Sequence, residues 1–242
     1  PIQERKEIHP RKKGDFLGEG GSSNNKEVKY ISDILSEVPC RDKDTGHPFD
    51  SLEWQEYREK WKTNPKNNIL EHLPLQLDVW AVDLCNLKCP MCPRTLGNSM
   101  NTIMSPDLIE KIFSEIEGSQ LYSLNLGGLG EPTLMPNYLD YLKRAKDLGV
   151  VDVNAHTNGT SCTPEFNRKI IESGLDRLVI SLDAITRERY EKIRIGANYD
   201  TVYAQVNDLI EQRDKMNSKR PHIKLNIIDM SIGDDIREEI KK

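Results

Sequence analysis

Three of the five cysteines crowd into one short stretch, Cys85-Asn86-Leu87-Lys88-Cys89-Pro90-Met91-Cys92-Pro93, with the spacing C-x3-C-x2-C. Thiolates at such short spacing hold iron–sulfur clusters. Three of them can bind three irons of a cubane [4Fe-4S] cluster and leave the fourth iron open to a bidentate ligand. Zinc is the rival metal. A structural zinc site wants four ligands, usually in two pairs. His72 precedes the first strand and lies at the wrong end, whereas His156 and Cys162, on or after the third strand, could approach. A third reading leaves the cysteines without a metal, but Pro90 and Pro93 make this segment a loop, where bare thiols are an oxidation liability. An odd, clustered set of cysteines is not a secreted disulfide framework and points to a reducing, cytoplasmic setting.

The elements that must position this loop alternate from residue 74 onward. Leu75, Leu77, Val79 and Ala81 share one face of a strand that runs straight into the cysteines. Ser105-Pro106-Asp107 starts a helix, Ser105 as cap and Pro106 at the first helical position, with Ile109, Ile112, Phe113 and Ile116 as its apolar stripe and Gly118 as its stop. Strands are expected at 121–127, 150–156, 177–182 and 222–228, with helices at 136–148, after Thr163-Pro164 to Gly174, up to Met216, and from Asp234. Such alternation implies parallel strands joined by right-handed helical crossovers. A β/α barrel, full or partial, and an open doubly wound sheet both fit, and both put chemistry at the carboxyl ends of the strands. Before this core, residues 1–28 read as a polar, disordered tail around Gly20-Gly21-Ser22-Ser23. Residues 29–73 read as a helical extension, with a helix at 50–63 capped by Asp50 and ended by Asn64-Pro65. Its aromatic stripe, Trp54, Tyr57 and Trp61, is expected to pack on the main domain.

The chain is 36% hydrophobic and 30% charged, with a formal charge of -5. That balance gives no electrostatic reason to expect nucleic acid or an anionic membrane as partner. No apolar run approaches the roughly 20 residues that span a bilayer, and no signal peptide is visible at the N-terminus.

Further motifs fall at the strand ends. Gly127-Gly128-Leu129-Gly130-Glu131-Pro132 follows the second strand, Thr157-Asn158-Gly159 the third, and Ser181-Leu182-Asp183 closes the fourth, while Arg194-Ile195-Gly196 lies beyond a helical turn. Alternation along a strand points Ser181 and Asp183 the same way. By themselves these segments also read as a Gly-rich turn, an Asn-Gly turn, a helix cap at Asp183 and an ordinary arginine salt bridge. Together with the cysteine spacing, they resemble the radical S-adenosylmethionine (radical SAM) superfamily over about residues 74–240. The family's residue before the third cysteine is usually aromatic; here it is Met91.

The resemblance implies a partial (β/α) barrel of the α/β class. It implies a [4Fe-4S] cluster on Cys85, Cys89 and Cys92, and S-adenosyl-L-methionine bound at the open iron and cleaved reductively to a radical that takes a hydrogen atom from substrate. It places Met91, Gly128, Gly130, Glu131, Asn158, Ser181, Asp183 and Arg194 around that cofactor, the Gly128–Glu131 segment at its amino group and Arg194 at its carboxylate. It also implies an electron donor such as flavodoxin or ferredoxin. The family's adenine motif at the fifth strand is replaced by Lys224-Leu225-Asn226-Ile227-Ile228-Asp229, so Asn226 is only a candidate there. A sixth strand is expected of a usual family barrel, so the core at 74–242 reads as incomplete at its C-terminus. Beyond the main motif, Cys40 and Cys162 are too few for the auxiliary cluster of SPASM or twitch relatives. Substrates in the family include peptides, sugars, nucleosides and cofactor precursors, and the resemblance leans toward peptide or sugar modification. A metal-binding module without catalysis, and a zinc hydrolase on the same barrel, are the readings from other classes.

Overall fold

The computed structural model describes residues 51–97 and 99–228. The polar tail, residues 29–50 of the N-terminal extension with Cys40 and Asp50, and the helix expected from Asp234 lie outside these residues.

Helix α1 spans Leu52–Asn67 and is capped by Ser51, whose hydroxyl accepts from Trp54 N at 3.1 Å. The helix does not end before Pro65 as expected. A proline interrupts a helix by lacking an N–H for the carbonyl four residues back. Here that loss falls in the final turn, which closes at Asn68 in a left-handed conformation (φ 54°). Of the aromatic stripe, Tyr57 packs as expected: it is buried, stacks on Tyr122 with centroids 5.7 Å apart, and donates to Gln76 Oε1, whereas Trp61 stays 44% exposed.

Five strands follow, β1 (Gln76–Trp80), β2 (Ser123–Gly127), β3 (Asp152–Thr157), β4 (Arg177–Ser181) and β5 (His222–Asn226). All pair in parallel, in the order β1-β2-β3-β4-β5. A doubly wound sheet reverses its strand order at a switch point. This one steps always in one direction, as a partial barrel does. Between the strands lie the short α2 (Pro93–Leu96), α3 (Pro106–Ile116), α4 (Tyr138–Asp147), α5 (Pro164–Glu172), α6 (Arg187–Ile193) and α7 (Tyr199–Lys215). The helical stretch after β4 is thus two helices rather than one, broken between Arg194 and Asn198. Ser105 and Thr163 cap α3 and α5 by accepting from Leu108 N and Phe166 N.

Register fixes the two faces of the sheet, because residues paired across strands share a face. Leu124 pairs with Leu77 and Val153, Ala155 with Leu178, and Ile180 with Leu225. Leu124, Val153, Leu178 and Ile180 are buried in the apolar core with Ile109, Phe113, Leu142, Ile170 and Leu209 of the surrounding helices. The opposite face carries a polar row, Asp78, Asn125, Asn154, Arg177 and His222, in continuous register from β1 to β5. His156 and Ser181 belong to that face by parity, at the carboxyl ends. Among the described residues no helix is long and apolar enough to cross a membrane.

Candidate functional site

The cysteine loop leaves β1 and is pinned at once to the loop after β2. Ala81 N and Val82 N donate to Gly127 O, Gly130 N donates to Val82 O at 3.0 Å, and Glu131 N donates to Leu84 O at 2.7 Å. The two backbones run so close that a Cβ on Gly128 would lie 2.2 Å from Val82 O, and one on Gly130 would lie 2.1 Å from Leu84 O. The approach these glycines permit is therefore to the chain's own backbone, and it fixes where Cys85 begins. Beyond it, Cys92 N donates to Cys89 O, and Cys92 O accepts from Thr95 N and Leu96 N as α2 starts. Asp83 closes the far side: its carboxylate accepts from Ser99 Oγ, Met100 N and Asn101 N, which hold it below its usual value, the serine bond foremost.

From β3, Asn158 braces the same loop. Its amide donates to Asn86 Oδ1 at 2.9 Å and stands 4.0 Å from Cys85 Sγ, while its Oδ1 accepts from Thr160 N and Oγ1. Glu131 ties the β2 and β3 ends together. It is buried, and its carboxylate accepts from Thr133 N, Thr133 Oγ1, Thr157 Oγ1 and Asn158 N. Burial raises its pKa, and these four bonds oppose the rise. From β4, Ser181 faces the cavity, but Asp183 does not. Alternation fails there because Asp183 adopts a left-handed backbone (φ 61°). Its side chain turns inward, accepts from Ile228 N at 3.0 Å, and pairs with Arg194 at 2.5 Å. Neither a cavity-facing position nor a helix cap describes it. Arg194 in turn sends a nitrogen to 3.7 Å from Cys89 Sγ. Burial pushes the Cys89 thiol up, and Arg194 opposes that shift.

These walls enclose a cavity of about 360 Å³ at the carboxyl end of the sheet. Of the residues expected from the sequence, Cys85, Cys89, Cys92, Met91, Gly128, Gly130, Glu131, Asn158, Ser181 and Arg194 line it, and only Asp183 stands behind it. Thr157 of the Thr157-Asn158-Gly159 segment lines it too, as do Arg94 and Ile228, to which sequence reasoning gave no role. His156, weighed only as a zinc ligand, opens onto it, its pKa lowered by burial and then by Arg177. Cys162 is buried away from the cavity, its thiol pushed up to about 12 by burial. Asn226 is also absent from the lining. Among the described residues no three His, Cys, Asp or Glu side chains converge as a set for one metal ion. In a cubane cluster each thiolate binds its own iron. Three thiols spread around a cavity wall, one of them beside a guanidinium, have the donor chemistry for that group.

The sequence profile of the radical SAM superfamily matches residues 82–218, more than half of the chain. The chain belongs to the radical SAM superfamily. Among curated relatives it is similar to a GTP 3',8-cyclase of Lactiplantibacillus plantarum, 33% identical over 150 residues, covering 60% of this chain and 43% of that protein. It is also similar to a tungsten-containing aldehyde ferredoxin oxidoreductase cofactor-modifying protein of Pyrococcus furiosus, 28% identical over 146 residues, covering 60% of this chain and 40% of that protein. The chain thus spans less than half the length of these relatives. Among solved structures, Streptococcus suis SuiB bound to precursor peptide SuiA superposes with a TM-score of 0.56 at 20% identity, over 87% of this chain and 46% of that one. At that identity the likeness is one of fold, and it agrees with the partial barrel described above.

Proposed function

We propose that this radical SAM chain is the catalytic core of an enzyme that binds a [4Fe-4S] cluster on Cys85, Cys89 and Cys92 and S-adenosyl-L-methionine beside it. The observation that carries this reading is the meeting of all three thiols with the Gly128–Glu131 loop on one cavity. The cluster would supply one electron to cleave S-adenosyl-L-methionine, and the resulting radical would take a hydrogen atom from substrate. The chain's own residues would do the holding. Gly128 and Gly130 fix the cysteine loop against β2, and Asn158 braces Cys85. The Gly128–Glu131 segment, Met91 and Ser181 would contact the cofactor. Glu131, whose carboxylate is fully engaged within the chain, would shape the loop rather than bind through its side chain.

The substrate would be a small molecule or a peptide. The named relatives include a nucleotide cyclase and a cofactor-modifying protein, and SuiB carries a precursor peptide; the lean toward peptide or sugar modification rests on the family resemblance. The electron would come from a flavodoxin or ferredoxin, in a reducing cytoplasm. The test is release of 5′-deoxyadenosine from S-adenosyl-L-methionine under anaerobic conditions with a strong reductant. Wild type should release it, and alanine at Cys85, Cys89 or Cys92 should abolish release. A reconstituted wild type that binds the cofactor but releases none would favour a binding module instead.

A further inference from the structure

At the back wall of the cavity lies a buried ion pair, with Arg194 in the lining and Asp183 behind it. Asp183 has no exposed side-chain surface and Arg194 retains 12%. One guanidinium nitrogen sits 2.5 Å from Asp183 Oδ2, and another points at Cys89 Sγ from 3.7 Å. Arg194 Nε and Asp183 Oδ2 are both buried without a hydrogen-bond partner, so the two groups meet as an ion pair and not through an aligned hydrogen bond. Asp183 is itself immobilised, by its left-handed backbone and by Ile228 N on its other carboxylate oxygen. The backbone next to Arg194 also holds the cysteine loop, since Ile195 O accepts from Lys88 N at 3.0 Å. The guanidinium is thus already paired on one side and aimed at a thiol on the other. That leaves it poorly placed to serve as a free partner for a ligand carboxylate.

We infer that Asp183 and Arg194 form a charge-compensated donor pair that positions Cys89 and tunes the reduction potential of the cluster it holds. The inference rests on the cluster assignment proposed above. A donor at a ligating sulfur stabilises the extra negative charge of the reduced cluster and raises its potential, and a nearby anion lowers it. Arg194 and Asp183 therefore pull in opposite directions, and the wild-type value lies between. Neither residue would touch substrate; both are positioning residues.

The test is a redox titration of the reconstituted protein without S-adenosyl-L-methionine, followed by electron paramagnetic resonance. Asp183→Asn is isosteric, keeps an acceptor for Ile228 N and removes the anion; its potential should move above wild type. Arg194→Met removes the donor and leaves the anion; its potential should move below. Arg194→Lys, which keeps the charge, should return part of the shift, and it stands in if the methionine variant does not fold. Shifts in one direction, or none, in variants with a normal cluster signal would overturn the inference alone. A wild type that assembles no cubane cluster would overturn the assignment beneath it, and the inference with it.

Discussion

Two carboxylates sit buried at the edges of the same cavity, and the chain neutralises their burial differently. Glu131, between β2 and β3, is surrounded by neutral donors: two backbone N–H groups and two threonine hydroxyls. Asp183, after β4, faces a guanidinium. The neutral solution brings no charge to the site and can act only by fixing geometry, here of the two loops that carry Gly130 and Asn158. The ionic solution fixes geometry too, but it also delivers a positive group next to Cys89. The difference separates residues that shape the cavity from residues that set its electrostatics.

The comparison can be broken by removing each anion in turn. The largest effect is expected for Asp183→Ala, which leaves the Arg194 cation buried and unpaired; losing one partner of such a pair typically costs about 3–5 kcal/mol, readable in the midpoint of denaturant unfolding. A loss no larger than that of an exposed ion pair would mean that Arg194 finds another partner. Gly130→Ala should cost about 1–3 kcal/mol, because its methyl group meets the Leu84 backbone carbonyl rather than a movable side chain. It should also reduce cluster occupancy by displacing the loop that starts at Cys85; full occupancy would separate that contact from the cysteines. The smallest effect is expected for Glu131→Gln, about 1 kcal/mol, as one acceptor oxygen is replaced by a donor amide among other donors. Its pH dependence is more telling than its size. Burial raises the folded pKa of Glu131 above its ordinary value. Its contribution is therefore full below the ordinary carboxylate pKa and is lost as pH rises through the raised folded value. Glutamine should flatten that part of the stability profile, and an unchanged slope would assign it to other groups, Asp176 foremost, which burial also raises.

The sequence made one side of the site far more legible than the other. The cysteine spacing, Gly128 and Gly130, the Ser105 cap and the Thr163-Pro164 helix start are local signals, in which residue type and neighbours carry the meaning, and each lies where expected. The order of the strands was readable as alternation but not as a barrel, because only hydrogen-bonded neighbours distinguish sequential stepping from reversal. The Asp183–Arg194 pair was not readable at all. It joins residues in different elements, and it depends on a left-handed backbone at an aspartate, which no local pattern announces. The polar row from Asp78 to His222 escaped for a similar reason: it exists only once register aligns five separate strands. Pro65 shows the converse, a strong local signal overridden because it falls in the last turn.

The measurement that bears most directly on the central claim is electron paramagnetic resonance of the anaerobically reconstituted, reduced protein, recorded with and without S-adenosyl-L-methionine. A cubane [4Fe-4S] signal that changes when S-adenosyl-L-methionine is added is the predicted result, since it reports cluster, open iron and cofactor together. A reduced cluster whose signal is indifferent to S-adenosyl-L-methionine, or a protein that takes up zinc and no iron, would contradict it.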